Sequence, residues 1–131
     1  MRDPKKCIIV DDEPAAHYVL ANYIKQNPQL ELVFQGYNGI EAMDYLREHK
    51  VDLMFLDINM PVMDGWALLN LLSAKPDLDV LVIMATSSIN ERDKRRAFEY
   101  PMVKGMLIKP IIPDLLFTVP EGQIIKNFLD K

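Results

Sequence analysis

Cysteine is nearly absent from this 131-residue chain. Cys7 is the only one, which excludes an internal disulfide and any multi-cysteine metal site and fits a reducing cytoplasm. Its place inside an apolar run makes it a small buried hydrophobe. A basic excess is missing too: the formal net charge is -4, and Lys and Arg are scattered apart from Lys94, Arg95 and Arg96. That short cluster reads as a solvated helix face, and direct nucleic-acid binding has no electrostatic footprint here. No apolar run is long enough for a signal peptide or a membrane span. Linkers, repeats and low-complexity segments are also lacking. Histidine is scarce, and His17 has no metal-ligand partner at i+4, so a packing or surface role is expected of it. What is present is apolar: 50% of the residues are hydrophobic, enough for one compact domain spanning 1–131.

The stretch from Val51 to Gly65, VDLMFLDINMPVMDG, organises the rest. An apolar run suited to a strand buried on both faces stops at one carboxylate, Asp57. Asn59, Met60 and Pro61 forbid a continued strand, and Asp64-Gly65 supplies a turn and a cap for the helix that follows, from about Asp64 to Ala74, with Leu68, Leu69 and Leu72 inward.

The other segments repeat this alternation. Lys6–Val10 reads as a strand that ends in Asp11, Asp12 and Glu13. Pro14 then opens a helix with Ala16, Val19, Leu20, Tyr23 and Ile24 at helical spacing. Leu30–Gln35 is a strand, followed by the turn Tyr37-Asn38-Gly39 and a helix with Ile40, Met43 and Leu46 on one face. Val80–Ala85 is a buried strand ending in Thr86, Ser87 and Ser88. Ser88 and Glu91 have capping-box spacing at the start of a fourth, mostly solvated helix that buries little beyond Ala97, Phe98 and Tyr100. Gly105–Ile108 is the fifth strand, ending in Lys109-Pro110. Pro113, Pro120 and Gly122 argue for a turn before the last helix, with Thr118 and Glu121 as a second capping box and Ile124, Ile125, Phe128 and Leu129 as its buried stripe. Five strand–helix alternations imply a parallel sheet covered by helices on both faces.

In such a sheet, ligands bind beyond the carboxyl ends of the strands. Asp11 and Asp12, Asp57, Thr86 and Lys109 all fall at those ends and should converge. Crowded carboxylates need compensating charge, and hard oxygen donors without histidine or thiolate suit magnesium. A carboxylate beside a magnesium ion, a lysine and a hydroxyl is equipped to attack phosphorus, giving an aspartyl phosphate on Asp57.

IIVDDEP at the first strand end, LDINMPVMDG at the third, Thr86-Ser87 at the fourth and IKP at Lys109-Pro110 together resemble the receiver domain of two-component response regulators, over nearly the whole chain. The resemblance implies the flavodoxin-like α/β/α fold with strand order 2-1-3-4-5. It also implies magnesium on Asp12, Asp57 and the Asn59 carbonyl, with Asp11 assisting through water, and phosphoryl transfer to Asp57 from a sensor histidine kinase or phosphotransfer protein. Thr86 and Lys109 then meet the phosphate, and the surface of the fourth helix, fifth strand and fifth helix meets an output partner. Met106 stands where the family commonly has an aromatic switch residue, and Ser87 where it usually has Ala or Gly. Asn59 and Ser88 occupy positions that tune phosphate lifetime, and the Lys109-Pro110 bond is expected to be cis.

Rival readings are weaker. A phosphate-independent pseudo-receiver conflicts with the intact acid and lysine set. An aspartate-nucleophile phosphatase needs a second acid two residues beyond the nucleophile, where this chain has Asn59. A flavodoxin-like cofactor binder needs a phosphate loop where this chain has acids. The expectation is a signalling phosphoacceptor rather than an enzyme on external substrates. It is expected to act without an attached output domain, the alternative being a receiver excised from a longer DNA-binding regulator.

Overall fold

The computed structural model describes residues 3–75, 77–87, 90–112 and 120–129. Five strands alternate with five helices: β1 Lys5–Val10, α1 Pro14–Lys25, β2 Leu30–Gly36, α2 Gly39–Leu46, β3 Leu53–Leu56, α3 Gly65–Ser73, β4 Leu81–Thr86, α4 Glu91–Phe98, β5 Val103–Ile108 and α5 Pro120–Leu129. The sheet order is β2-β1-β3-β4-β5, and every pairing is parallel.

Because side chains on a strand alternate between faces, each central strand feeds two cores. Ile8, Val10, Met54, Leu56, Val82 and Met84 pack with Met43 and Leu46 of α2, Leu68, Leu69 and Leu72 of α3, and Ala97 of α4. Cys7, Ile9, Leu53, Phe55 and Ile83 pack on the opposite face with Leu20, Tyr23 and Ile24 of α1 and Ile125 of α5. This is the expected three-layer, flavodoxin-like arrangement. Each fully buried leucine of α3 contributes roughly 1.5–3 kcal/mol by leaving water, and together they tie α3, and so the loop before it, to the sheet.

Helix starts follow local chemistry. Pro14 occupies the first turn of α1, where its missing N–H has no intrahelical partner to lose. Asn38 caps α2 by accepting from Glu41 N at 2.9 Å, and Glu41 returns a carboxylate to Tyr37 N at 2.7 Å. Asp64 caps α3 through Ala67 N at 2.9 Å, as expected.

Several expectations need correction. Ile40 is 43% exposed, and Ala42 takes the buried place beside Met43 and Leu46, because the buried stripe of α2 runs through Gly39, Ala42, Met43 and Leu46, and Ile40, one residue on from Gly39, is rotated off it. The N-cap of α4 is Asn90, not Ser88. Its side chain accepts from Arg92 N at 2.8 Å, which places the start of the helix beyond the hydroxyl cluster. Val19 of α1 is only half-buried, at the margin of that helix's apolar stripe. Ser88, Pro113 and Thr118, together with the Glu121, Phe128 and Leu129 side chains, lie outside what is described, so the second capping box and part of the last stripe do too.

The thin apolar face of α4 is compensated by polar contacts with α3. Only Ala97 of α4 is buried, and Phe98, expected beside it, is instead 44% exposed. The Arg96 guanidinium lies 4.2 Å from the centroid of the Trp66 ring, and Tyr100, just past the helix, donates its hydroxyl to Asn70. Two of the expected basic cluster, Lys94 and Arg95, are solvated as anticipated, whereas Arg96, exposed as it is, lies over an aromatic ring, an attraction of about 0.5–1 kcal/mol at an exposed site.

Candidate functional site

Parallel pairing sets the site by register. The amide of Asp11 donates to Gly36 O at 3.0 Å and that of Asp57 to Val10 O at 2.9 Å, while the amide of Lys109 donates to Thr86 O at 2.8 Å. Each of these residues follows its strand by one position and is still held by the neighbouring strand. The Lys109-Pro110 bond is cis.

The β3–α3 loop forms one wall. Gly65 N donates to Ile58 O at 2.9 Å, and a Cβ on Gly65 would penetrate the Asp57 carbonyl oxygen and stand 2.9 Å from Ile58 Cα. Only glycine allows so close an approach. Val62, at φ 68°, is the centre of a three-residue turn closed by Met63 N donating to Pro61 O at 2.8 Å. That left-handed conformation is unfavourable for a β-branched residue. Met63 O in turn accepts from Gly39 N at 3.1 Å, joining the loop to the start of α2.

Within this frame Asp11 (1% exposed) and Asp57 (3%) are buried, and Asp12 and Glu13 are exposed. One carboxylate oxygen from each of these four lies within 4.8 Å of the others. Lys109 Nζ sits among them, 2.8 Å from Glu13 Oε1, 2.9 Å from Asp11 Oδ2 and 3.4 Å from Asp57 Oδ2. It also donates to Asp11 Oδ1 at 3.1 Å. Asp11 Oδ2 is buried and, although close to the ammonium, is not aligned for a hydrogen bond.

Burial, followed by the charge of Asp11, pushes the Asp57 carboxyl up to about 7, and Lys109 only partly opposes this. For Lys109 burial works against the charged form, but hydrogen bonds to Glu13 and Asp11 and the charges of Asp11 and Asp57 outweigh it, so the ammonium titrates above its ordinary range. The pocket therefore carries more negative charge than one lysine balances. A hard divalent cation fits this oxygen-only donor set and the unbonded Asp11 Oδ2.

The remaining expected residues are placed as follows. Thr86 ends β4, fully buried, in register with Ile108. Asn59 is exposed, and its amide donates to Asp57 Oδ1 at 3.4 Å. Met106 lies on β5 opposite Met84, 8% exposed, within the core shared with α2, α3 and α4.

Two residues matter more than their sequence signal suggests. Glu13, third in the acid run, has no role that the sequence pattern assigns, yet its carboxylate holds Lys109. His17 is 3% exposed. Its Nε2 lies 2.7 Å from Asp11 O and its Nδ1 3.0 Å from Gln35 Nε2, and its ring stacks on Tyr37 at 4.3 Å. A carbonyl only accepts, so Nε2 carries the proton and Nδ1 accepts from Gln35. Helical spacing alone could show that His17 faces inward, but not that it fastens the backbone beneath Asp11.

A doubly wound parallel sheet whose strand ends gather acids around one lysine defines a class of protein, and comparison with known proteins gives its family. The model of the response regulator receiver domain matches residues 7–119, and this chain belongs to that family. Among relatives, the heme response regulator HssR of Staphylococcus haemolyticus is 42% identical over 121 residues, covering 87% of this chain and 49% of that protein. An uncharacterized response regulatory protein of Shewanella oneidensis is 35% identical over 114 residues, covering 84% of this chain and 44% of its own length. The chain thus spans about half the length of these curated relatives. Among solved structures, the phosphorylated cyanobacterial phytochrome response regulator RcpA superposes with a TM-score of 0.79 at 28% identity, covering 96% of this chain and 94% of that one. The response regulatory domain of mrkE from Klebsiella pneumoniae gives 0.79 at 26% identity, covering 96% and 99%. Receiver domains bind Mg2+ at an acidic cluster and interact with histidine kinases or phosphotransfer proteins.

Proposed function

We propose that this chain is a phosphoacceptor receiver that takes a phosphoryl group onto Asp57 from a histidine kinase or phosphotransfer protein and thereby changes its affinity for a protein partner. The observation that carries this reading is the buried Asp57 carboxylate, 3.4 Å from Lys109 Nζ and within 4.8 Å of three further acids.

Asp57, Asp12 and the Asn59 carbonyl would hold Mg2+, with Asp11 assisting through water. Bound there, the ion would offset carboxylate charge and that of the incoming phosphoryl oxygens. An Asp57 oxygen then supplies an electron pair to phosphorus while the bond from phosphorus to the donor nitrogen breaks, and that pair leaves with the donor imidazole. Lys109 holds a phosphoryl oxygen through its ammonium, and Thr86 donates its hydroxyl to another. Asn59 and Ser88 occupy the sequence positions that tune how long the group persists. Thr86 and Met106 link the loaded site to the surface of α4, β5 and α5, where Phe98 and Ile108 are about half exposed and an output partner would bind.

Residues 1–131 act in this proposal as a single receiver unit located in the cytoplasm, which catalyses at most its own phosphorylation and dephosphorylation. Among the described residues no helix is long and apolar enough to cross a membrane. A pull-down with the magnesium- and beryllofluoride-loaded chain tests the reading. Partners captured by the loaded wild type and lost with Asp57→Asn are expected; equal capture by both refutes phosphate switching.

A further inference from the structure

Glu13 presents an unassigned carboxylate with a peculiar geometry. It is the N-cap residue of α1, with φ -98° and ψ 118°, but its side chain makes no cap hydrogen bond. An N-cap acceptor normally turns toward the free amides of the first turn. Here the carboxylate extends across the pocket to Lys109 Nζ at 2.8 Å, closer than either Asp11 Oδ2 at 2.9 Å or Asp57 Oδ2 at 3.4 Å. The carboxylate expected to need the ammonium thus lies farthest from it.

Exposure decides which of these contacts can yield. The Asp11 side chain is 1% exposed and that of Glu13 is 56%. Asp11 is also fixed by Glu13 N donating to its Oδ1 at 2.9 Å. Glu13 is therefore the one of these three lysine partners that can withdraw into water by rotating its own side chain, and an exposed ion pair of this kind is worth about 1 kcal/mol or less.

We propose that Glu13 is a positioning residue for Lys109, holding the ammonium off Asp57 in the unmodified chain and releasing it when phosphoryl oxygens arrive. This rests on the reading of Asp57 as phosphoacceptor. The lysine has three N–H donors, and two of its partners already share it. A tetrahedral anion on Asp57 brings stronger acceptors than a half-exposed carboxylate, so the ammonium turns toward it and Glu13 swings free. Glu13 then stabilises only the unmodified state, and its charge raises the threshold for loading.

The test compares wild type and Glu13→Gln in saturating magnesium, titrated with beryllofluoride as the phosphoryl probe. NMR follows the Lys109 ammonium nitrogen, assigned by its loss in Lys109→Arg. Glu13→Gln should bind the probe about two- to fivefold more tightly, the range a weak exposed pair allows. It should also shift the ammonium resonance in the probe-free chain and leave it unmoved in the loaded one. Unchanged or weaker probe binding overturns the inference, as does an equal shift in both states, since a carboxylate that holds lysine throughout releases nothing. A wild-type chain that fails to bind the probe at all instead sinks the phosphoacceptor reading beneath it.

Discussion

Replacing Asp57 by asparagine should stabilise the metal-free protein at alkaline pH. The carboxyl is raised from 3.8 to about 7, first by burial and then by Asp11. A folded-state value above the unfolded one means that the folded chain binds the proton more tightly. The stability this contributes is complete below 3.8 and lost as pH rises through about 7. Above that, the folded chain carries an ionised group it disfavours by on the order of 4 kcal/mol, at about 1.4 kcal/mol per unit. The attraction of Lys109 is already contained in that figure; the neutral amide avoids the cost but is itself a buried polar group short of partners, leaving a net gain of roughly 2–4 kcal/mol. For a chain of this length that is a rise in Tm of roughly 6–15 °C. Thermal melts by circular dichroism in chelator should show this gap at pH 8, and about a third of it at pH 5, where only the unfolded carboxyl is ionised. Magnesium should then narrow the gap by stabilising the wild type alone. A variant no more stable than wild type at pH 8, or a gap that ignores pH, would refute the account of a charge-strained pocket.

Other perturbations probe the frame. Val62→Gly relieves a left-handed β-branched residue that is 81% exposed, and chemical denaturation should show a gain of about 1 kcal/mol. Gly65→Ala forces a methyl group onto the Asp57 carbonyl, and should cost about 2–4 kcal/mol and weaken magnesium binding by calorimetry. Cys7 is fully buried and its thiol is pushed up to about 12, chiefly by burial, so a thiol reagent at pH 8 should modify it only as fast as the chain unfolds.

The sequence was most informative where one residue type answers one physical demand. Apolar runs ending in Asp11, Asp57, Thr86 and Lys109 gave the strands, their parallel pairing and the edge where chemistry gathers, while the strand order came from the family resemblance. Asp64 as a cap and the inward leucines of α3 were equally plain. What escaped depended on distance along the chain or on a single turn. Ile40 fits the spacing of Met43 and Leu46, but the stripe that packs on the sheet runs through Gly39 and Ala42 and leaves Ile40 in water. Asn90 outcompeted Ser88 as a cap by standing next to the helix. No periodicity could show Glu13 reaching Lys109 or Arg96 lying over Trp66, because each contact joins elements that meet only after the sheet has formed, and none could show which backbone group the inward ring of His17 would meet in the turn before its own helix.

The most direct measurement is the intact mass of the chain after incubation with magnesium and phosphoramidate, followed by peptide mapping. The account predicts one added phosphoryl group, carried by the peptide containing Asp57, absent from Asp57→Asn and absent when magnesium is chelated. A chain that stays unmodified, or is modified at another residue, would contradict it.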